Sequence, residues 1–184
     1  MTTIIEKDAV RYVPGRLPFY QYCFRRCQIS KGPVRRFFLL LYKMATRSRG
    51  IEISVSCNIG AGLYIGHGFA ITINSAAVIG RNCNIAKGVT IGQENRGKRK
   101  GVPQIGDQVW IGTNAVIVGR ITIGDDVLIA PNSFVNCDVP SHSVVVGNPC
   151  RIYPRDNATE AYIEKLVEEG SRCTEAHQEQ DRQT

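Results

Sequence analysis

Isoleucine recurs every six residues through the middle of the chain, and this spacing is the strongest pattern in the sequence. Four apolar residues stand six apart from Ile53 to Ile71, four more from Ile73 to Ile91, and six from Ile105 to Val135. A period of six fits neither the 3.6-residue turn of an α-helix nor the alternation of a simple strand. It is typical of a parallel β-helix, in which three hexapeptides form one triangular coil.

Small residues occupy fixed positions between these isoleucines. Glycine or alanine directly follows most of them, at Gly60, Gly66, Gly80, Ala86, Gly92, Gly106, Gly112, Gly124 and Ala130. We expect these residues to occupy tight turns that favour a positive φ. A second small or apolar residue comes four positions after most of these isoleucines. Cys57 and Cys83 fall at such positions, and we interpret them as core residues of stacked coils that bury one continuous apolar column.

Two interruptions divide the repeat. The spacing slips by two residues at Thr72–Ile73, which predicts a bulge at one corner of a coil. The second interruption, 93-QENRGKRKGVPQ-104, is polar, basic and glycine-containing. It predicts an exposed loop that leaves one coil after Ile91 and rejoins the next at Ile105. Loops carried by a rigid scaffold often contribute to function.

Helical patterns flank the repeat on both sides. Residues 18–48 look helical, most clearly over 33–45, where Pro33 suits a first helical turn. Residues 158–173 form an acidic amphipathic stretch that predicts a C-terminal helix. We therefore expect a mainly β protein with a helical segment over 1–50. Residues 51–154 should form the β-helix, and residues 155–184 should form a C-terminal helix and tail.

Charge is distributed unevenly around the net value of +7. Residues 1–50 carry 11 Lys and Arg against 2 acids, whereas residues 155–184 carry 4 against 8. The basic amphipathic N-terminal segment is consistent with peripheral membrane contact, or with packing on the end of the β-helix or on a neighbouring subunit. Its longest apolar run, residues 37–42, is far shorter than the ~20 residues of a membrane span. Nucleic acid is not expected as a partner, because no aromatic stacking platform accompanies the charge.

The cysteines indicate a reducing compartment. Their number, seven, is odd, and residues 1–15 contain no apolar signal region. We expect free thiols and a cytoplasmic protein, with the inner face of the membrane as a further location. Cys23 and Cys27 share a helix face, but no second Cys/His pair completes a zinc site, so no metal is expected.

One histidine lies within the repeat. His67 comes two residues after Ile65, between two glycines, in 63-LYIGHGFAITIN-74. This position predicts a side chain that projects near a corner rather than into the apolar core. We interpret His142 as a surface turn residue at the end of the coils, and His177 as a solvated residue of the tail.

The stretch from Ile51 to Pro154 resembles the hexapeptide-repeat acyltransferases, and within them the serine acetyltransferase branch. The motifs that carry this resemblance are 51-IEIS-54, 65-IGHGFAITIN-74, 88-GVTIG-92 and 145-VVGNPCRI-152. Together with the short N-terminal helices and the basic loop, they look closest to colanic-acid and capsular polysaccharide O-acetyltransferases. The resemblance implies a left-handed β-helix, trimers with sites between subunits, and a dimer of trimers as a further option.

The resemblance also implies the chemistry. His67 would be the general base, and Glu52, fifteen positions earlier where the serine enzymes have Asp, would orient it. An alcohol attacks a thioester poorly at neutral pH, whereas an imidazole with an ordinary pKa of about 6.5 can take its proton. A carboxylate on the other ring nitrogen would fix the tautomer and stabilise the imidazolium. A backbone N–H near Gly92 and Gln93 would bind the oxyanion.

Acetyl-CoA is the acyl donor that the resemblance implies. It is expected along a coil edge, with His67 and Thr113 contributed by different chains. The implied donor-binding residues are Gly92, Gln93, Thr113, Pro131 and Arg151.

The acceptor positions depart from the serine branch. Gly66 stands where those enzymes hold the serine ammonium with Asp, and Gly101 and Val102 align with the Arg-His pair that holds the carboxylate. These losses favour a larger neutral acceptor, such as a sugar hydroxyl of a polysaccharide or its precursor, with serine as the alternative. The loop cations would attract CoA phosphates or an acidic polysaccharide, or serve only solubility. These cations are Arg96, Lys98, Arg99 and Lys100.

Two further functions are compatible with a hexapeptide repeat. Zinc-dependent carbonic anhydrases also use hexapeptide coils, but they need three histidines around the metal, and the coils here contain one. A non-catalytic scaffold is the other alternative. The histidine with an acid at the family's spacing argues against it.

Overall fold

Three parallel sheets form the faces of a triangular prism in this computed structural model, which describes residues 3–168. Face A contains β1 (Glu52–Ile53), β4 (Thr72–Ile73), β7 (Thr90–Gly92), β10 (Val116–Val118) and β13 (Phe134–Val135). Face B contains β2 (Asn58–Ile59), β5 (Val78–Ile79), β8 (Gln104–Ile105) and β11 (Thr122–Ile123). Face C contains β3 (Tyr64–Ile65), β6 (Asn84–Ile85), β9 (Val109–Ile111), β12 (Val127–Ile129), β14 (Ser143–Val146) and the antiparallel β15 (Arg151–Pro154).

The pairing register accounts for both interruptions of the repeat. Glu52 pairs with Thr72, twenty residues on, and Thr72 pairs with Thr90, eighteen residues on. The first step is longer because the two-residue slip lies within it. Thr90 then pairs with Val116, twenty-six residues on, because residues 93–103 leave the prism as a loop. The predicted bulge and the predicted loop are both present.

Side chains at the six-residue spacing fill the interior. All fourteen of these apolar residues, from Ile53 to Val135, are at most 7% exposed. Each coil therefore contributes three apolar side chains to a column that its neighbours complete, and burial of this area is the main stabilising contribution. Cys57 and Cys83 are buried in the same core. Burial raises the pKa of Cys57 to about 11 and that of Cys83 to about 12, so both stay thiols at neutral pH.

The glycines that follow the core isoleucines serve close packing and not the turn, so our expectation of a positive φ there was wrong. Positive φ occurs two residues later, as at Gly62 and Asn82. A Cβ on Gly80 would lie 2.4 Å from the carbonyl oxygen of Gly106 in the next coil. Glycine is needed because the backbones of successive coils approach one another at this corner.

Three helices cover the open end of the first coil: α1 (Ile4–Val10), α2 (Phe19–Ile29) and α3 (Gly32–Arg47). The helices expected over 18–48 are α2 and α3, with Pro33 in the first turn of α3. The helix α1 lies within the helical segment expected over 1–50, but outside residues 18–48, where the helical pattern was clearest. Its signal is the capping box in which Thr3 and Glu6 bond to each other's backbone N–H.

Polar side chains of these helices bond to the backbone of the first coil, which has no preceding coil to pair with. Tyr42 Oη donates to the Ile53 carbonyl over 2.7 Å, and Gln28 Nε2 donates to the Cys57 carbonyl over 3.0 Å. Arg25 Nη1 donates to the Ile59 carbonyl over 2.8 Å. Buried backbone groups need such partners, so the helices act as the cap that a stacked-coil protein requires.

The C-terminal segment does not form the predicted helix over the part that the structure describes, residues 158–168. Asn157, Ala161 and Lys165 adopt positive φ, which a right-handed helix excludes, and the segment consists of turns. Residues 169–173 of the predicted helix, with the tail and His177, lie outside the described residues.

Asp126 fixes this segment to the prism. Its carboxylate accepts hydrogen bonds from the backbone N–H groups of Ala158 (3.0 Å) and Thr159 (2.9 Å) and from the Thr159 hydroxyl (2.6 Å). His142 Nδ1 lies 2.9 Å from the same carboxylate, and the His142 side chain is 59% exposed in a turn, as predicted. Burial alone would raise the pKa of Asp126, but the bonds from Thr159, His142 and Ala158 outweigh it and lower the pKa.

Candidate functional site

His67 lies on a corner that is wider than the others on its edge of the prism. We call the edge where the chain turns from face C to face A the His67 edge. The corner between β3 and β4 contains six residues, 66–71, whereas the corner between β9 and β10 contains four, 112–115. The two extra residues form the predicted bulge, and they leave the imidazole exposed rather than buried in the core.

A cleft of about 480 Å³ opens beside this imidazole. The helices α2 and α3 form one wall and the bulged corner forms the other. The lining residues are Pro18, Phe19, Tyr20, Ala45, Ser48, Arg49, Ile65, Gly66, His67 and Gly68. The ionisable lining side chains are an imidazole, a phenol and a guanidinium, with no carboxylate among the ten.

Tyr20 and Arg49 form the polar part of the helical wall. The Tyr20 hydroxyl packs so closely on Gly68 that a Cβ there would lie 2.2 Å from it. Burial raises the pKa of Tyr20 to about 12, so the phenol is neutral and can donate a hydrogen bond. The Arg49 guanidinium lies 5.7 Å from the centre of the Tyr20 ring, and the Arg49 carbonyl accepts from Ala70 N–H over 2.8 Å in the bulged corner.

The sequence analysis missed both Tyr20 and Arg49. No spacing in the sequence connects either residue to His67, because they meet only when the helices dock on the first coil. The expectation of a larger neutral acceptor rests on Gly66, Gly101 and Val102, and does not take Arg49 into account.

Glu52 lies near the bulged corner but is not joined to His67. Its backbone N–H donates to the Ile71 carbonyl over 2.7 Å, which places β1 beside the end of the corner. Its carboxylate is on the exposed side of face A. Among residues 3–168, no hydrogen bond joins this carboxylate to the His67 ring, so the orienting role of Glu52 stays a prediction.

Three of the predicted donor-binding residues follow the His67 edge. Thr113 and Pro131 occupy the corresponding corners of later coils, where Asn132 N–H donates to the Thr113 carbonyl over 2.9 Å. Arg151 pairs with Val146 at the far end of the same edge. Successive coils stack ~4.8 Å apart, so the edge runs about 19 Å from the His67 corner to Arg151. Within one chain His67 and Thr113 thus share an edge, and the expectation that different chains contribute them to one site stays a prediction.

Lys87 also lies on the His67 edge, although it is not among the predicted donor-binding residues. It occupies the corner between those of His67 and Thr113, and its side chain is exposed. The Lys87 carbonyl accepts from Asn114 N–H over 3.0 Å, which fixes its position on the edge. The sequence does not distinguish this lysine, because it follows the same six-residue spacing as any corner residue.

Gly92 and Gln93 lie on a different edge, where the chain leaves face A for the basic loop. The whole width of face A separates them from His67 within one chain. Glu94 and Gly101 exchange backbone hydrogen bonds of 2.9 and 3.0 Å, which close the base of the loop. The loop is exposed, as predicted.

A second cleft, of about 620 Å³, lies under this loop. Its lining residues are Glu94, Gly97, Lys98, Arg99, Arg120, Ile121, Cys137 and Asp138. Arg120 binds the loop through its backbone N–H to the Arg99 carbonyl (2.8 Å) and its Nη2 to the Lys98 carbonyl (3.3 Å). Lys98 and Arg99 therefore reach this cleft together with Arg120, which the sequence analysis missed. Arg96 and Lys100 do not line it.

Neither a metal site nor a membrane span is present in the described range. No three His, Cys, Asp or Glu residues within it are arranged to hold a metal ion. None of its helices has the length and apolar character needed to cross a bilayer. The six cysteines described are free, and Cys137 Sγ lies 3.8 Å from Cys150 Sγ.

The comparisons of this chain with family models, curated proteins and solved structures agree with one another. Residues 103–137 match the family described as bacterial transferase hexapeptide (six repeats). The chain is 36% identical over 125 residues to a serine acetyltransferase of Helicobacter pylori, covering 66% of this chain and 73% of that protein.

Two solved structures share the fold. The Neisseria gonorrhoeae serine acetyltransferase in complex with serine is 32% identical, with a TM-score of 0.59. The alignment covers 73% of this chain and 54% of that one. The Brucella abortus serine acetyltransferase in complex with coenzyme A is 28% identical, with a TM-score of 0.63 and coverage of 74% and 54%. This chain thus spans about half the length of these two enzymes.

These relatives decide between the two resemblances. They confirm the serine acetyltransferase branch and do not support a closer likeness to polysaccharide O-acetyltransferases. The predicted fold class, a mainly β parallel β-helix that is left-handed in these relatives, is confirmed. At 36% identity, with 73% of the Helicobacter pylori enzyme covered, the chain belongs to the serine acetyltransferase family of hexapeptide-repeat, acetyl-CoA-dependent acyltransferases.

Proposed function

We propose that this protein transfers the acetyl group of acetyl-CoA to the hydroxyl of serine, with His67 as the general base. The observation that carries the proposal is the exposed imidazole on the bulged corner, beside a cleft that also contains Tyr20 and Arg49. Serine is the better-supported acceptor because the relatives are serine acetyltransferases, and one of them is described in complex with serine.

The reaction needs one proton acceptor at the cleft. As the serine oxygen forms a bond to the thioester carbonyl carbon, His67 takes the hydroxyl proton. The tetrahedral intermediate then collapses and the C–S bond breaks. The CoA thiolate leaves and receives the proton back from the imidazolium. A backbone N–H donor would stabilise the oxyanion, and Gly92 and Gln93 are the residues we propose for it.

A trimer would bring the two halves of this site together. Within one chain, His67 lies on one edge of the prism, and Gly92, Gln93 and the loop lie on another. We propose that the His67 edge of one chain faces the loop edge of the next. Acetyl-CoA would then extend along the His67 edge past Lys87, Thr113 and Pro131. The loop cations would meet its phosphates, because clustered cations attract polyanions.

Arg49 is the group that we propose binds the acceptor carboxylate. The positions that hold this carboxylate in the serine enzymes are uncharged here, at Gly101 and Val102. Arg49 is a cation on the wall of the cleft that also contains His67, and a guanidinium matches the geometry of a carboxylate. The helices would thus supply the contact that the loop lacks.

A saccharide hydroxyl is the second candidate acceptor. Two observations favour it: the uncharged Gly66 before the base leaves no carboxylate for an ammonium group, and the uncharged pair Gly101 and Val102 leaves no cation in the loop for a carboxylate. A sugar acid would also present a carboxylate that Arg49 could bind. The relatives give this reading no support, so it ranks below serine.

An acceptor panel tests the proposal. The purified protein, with saturating acetyl-CoA, should release CoA thiol faster with L-serine than with water alone, and O-acetylserine should appear by mass spectrometry. Neutral oligosaccharides and uronic acid oligosaccharides complete the panel. Turnover on the oligosaccharides alone would replace serine with the second candidate. No turnover on any hydroxyl acceptor would refute the proposed activity.

Replacing Arg49 with glutamine should raise KM for L-serine roughly 10- to 100-fold with little change in kcat, because one charge-assisted contact to the substrate is lost. Serinamide, which has no carboxylate, is the matched control substrate. Its kcat/KM should be the same in R49Q and in the unchanged protein. Equal losses on both substrates would mean that Arg49 serves the wall of the cleft and not the carboxylate.

The cytoplasm is the compartment that we propose for this reaction. Six described cysteines are free, including the pair Cys137 and Cys150 at 3.8 Å, which fits a reducing environment.

A further inference from the structure

The helix α3 presents an apolar stripe that nothing covers within the described part of the chain. Val34, Phe37, Leu40 and Met44 are 49, 58, 59 and 66% exposed. Their spacing of three or four residues places them on one side of the helix. An exposed stripe of this size on a single helix is unusual for a surface that faces only water.

The orientation of α3 is fixed by its opposite side. Tyr42 and Thr46 are buried, and Phe38, Leu41 and Ala45 pack against the hydrophobic core. The Tyr42 hydroxyl bonds to the first coil. The exposed stripe therefore points away from the prism and cannot turn inward without the loss of these contacts.

A row of cations borders the stripe. Arg36, Lys43 and Arg47 are exposed on α3, and their helical positions lie directly beside Leu40 and Met44. No Asp or Glu occurs between Asp8 and Glu52, a stretch that contains ten Lys and Arg. One of these, Arg25, is paired with Asp8 in the interior. The surface around the stripe is therefore positive, with no acidic side chain from α2 or α3 to offset it.

We propose that this face of α3 binds the surface of an anionic lipid bilayer. The apolar stripe would lie at the boundary between headgroups and acyl chains, and the row of cations would contact the anionic headgroups. A second copy of this chain is a poorer occupant, because it would bring two positive faces together without an acid on either helix to pair them. Charge complementarity thus selects a negative surface, and the apolar stripe selects one with an accessible hydrocarbon layer.

Docking in this orientation would hold the His67 cleft close to the bilayer. The helix α3 ends at Arg47, and Ser48 and Arg49 continue directly into the lining of the cleft. Phe19, at the start of α2, also lines the cleft and is 57% exposed. The inference about lipid does not depend on the acceptor or on the proposed catalytic role of His67.

The test is co-sedimentation of the full chain with phosphatidylcholine vesicles, with and without 30% phosphatidylglycerol. We expect binding to the anionic vesicles only. The variant F37E/L40E should reduce that binding at least 10-fold. The variant R36Q/K43Q/R47Q should reduce it roughly 100-fold, because each of the three cations near an anionic surface contributes about a fivefold factor. The matched control for lipid binding is R96Q/K98Q/K100Q, which removes three cations from the loop instead and should leave binding unchanged.

Other results would overturn the inference. Equal loss of binding in the loop variant would mean that net charge, and not α3, is responsible. Absence of vesicle binding by the unchanged protein, together with a smaller sedimentation mass for F37E/L40E, would assign the face to contact between copies. Circular dichroism and the melting temperature of each variant must match the unchanged protein, since the substituted side chains are exposed.

Discussion

Replacement of His67 with alanine should lower turnover by roughly 10²–10⁴-fold and leave the fold intact. The imidazole is exposed on a bulged corner and makes no side-chain hydrogen bond among the described residues, so its removal creates no cavity and leaves no buried partner. The serine hydroxyl would then have no group to take its proton during attack on the thioester. Release of CoA thiol at saturating acetyl-CoA and L-serine, with circular dichroism as the test of folding, measures both parts of the prediction.

His142 provides the matched control for this substitution. It is also an exposed imidazole on a corner of the prism, but it lies beside Asp126 and not beside the cleft. The variant H142A should keep the turnover of the unchanged protein. A similar loss in both variants would point to general damage to the prism, and unchanged turnover in H67A would remove His67 from the mechanism.

The predicted orienting role of Glu52 can be tested by combining E52Q with H67A. If its carboxylate orients the imidazole in the assembled enzyme, E52Q should lower turnover when His67 is present and have no further effect in H67A. Additive losses would show that Glu52 acts independently of His67. The double variant is informative because the two side chains are not joined by a hydrogen bond within a single chain.

The prism was predictable from the sequence because its physics is local and repeated. Each hexapeptide places one apolar side chain inward, and the same choice recurs from Ile53 to Val135. The slip at Thr72 and the loop after Gly92 were readable as departures from that period. The position of His67 followed from the same period, since a residue two places after a core isoleucine must fall on a corner.

The wall of the cleft could not be predicted in the same way. Tyr20 and Arg49 reach His67 only through the docking of α2 and α3, and that docking is made by contacts between positions that are far apart in the sequence. For the C-terminal stretch, the sequence instead predicts an element that is not formed over the described residues 158–168. Its amphipathic pattern favours a helix, but the bonds from Ala158 and Thr159 to Asp126 hold the backbone in turns instead.

Replacement of Arg25 with alanine should lower the free energy of unfolding by about 3–5 kcal/mol, because it leaves a buried carboxylate without its counter-ion. Arg25 and Asp8 have fully buried side chains and approach to 2.7 Å. Asp8 also accepts from the backbone N–H groups of Gly62 (2.9 Å) and Leu63 (3.1 Å), so it joins α1 and α2 to the first coil. Urea unfolding followed by circular dichroism, at one fixed protein concentration, would measure the loss.

The exposed pair of Arg81 and Asp107 makes the control for this prediction. It has the same 2.7 Å contact distance, but its side chains are 45 and 32% exposed. Solvent screens such a pair, so R81A should lower the free energy of unfolding by at most about 1 kcal/mol.

A double variant R25M/D8N should recover part of the loss in R25A, because it removes the unpaired charge. Equal effects of R25A and R81A would mean that the buried network does not fasten the helices to the prism, and the helical wall of the cleft would then need another explanation.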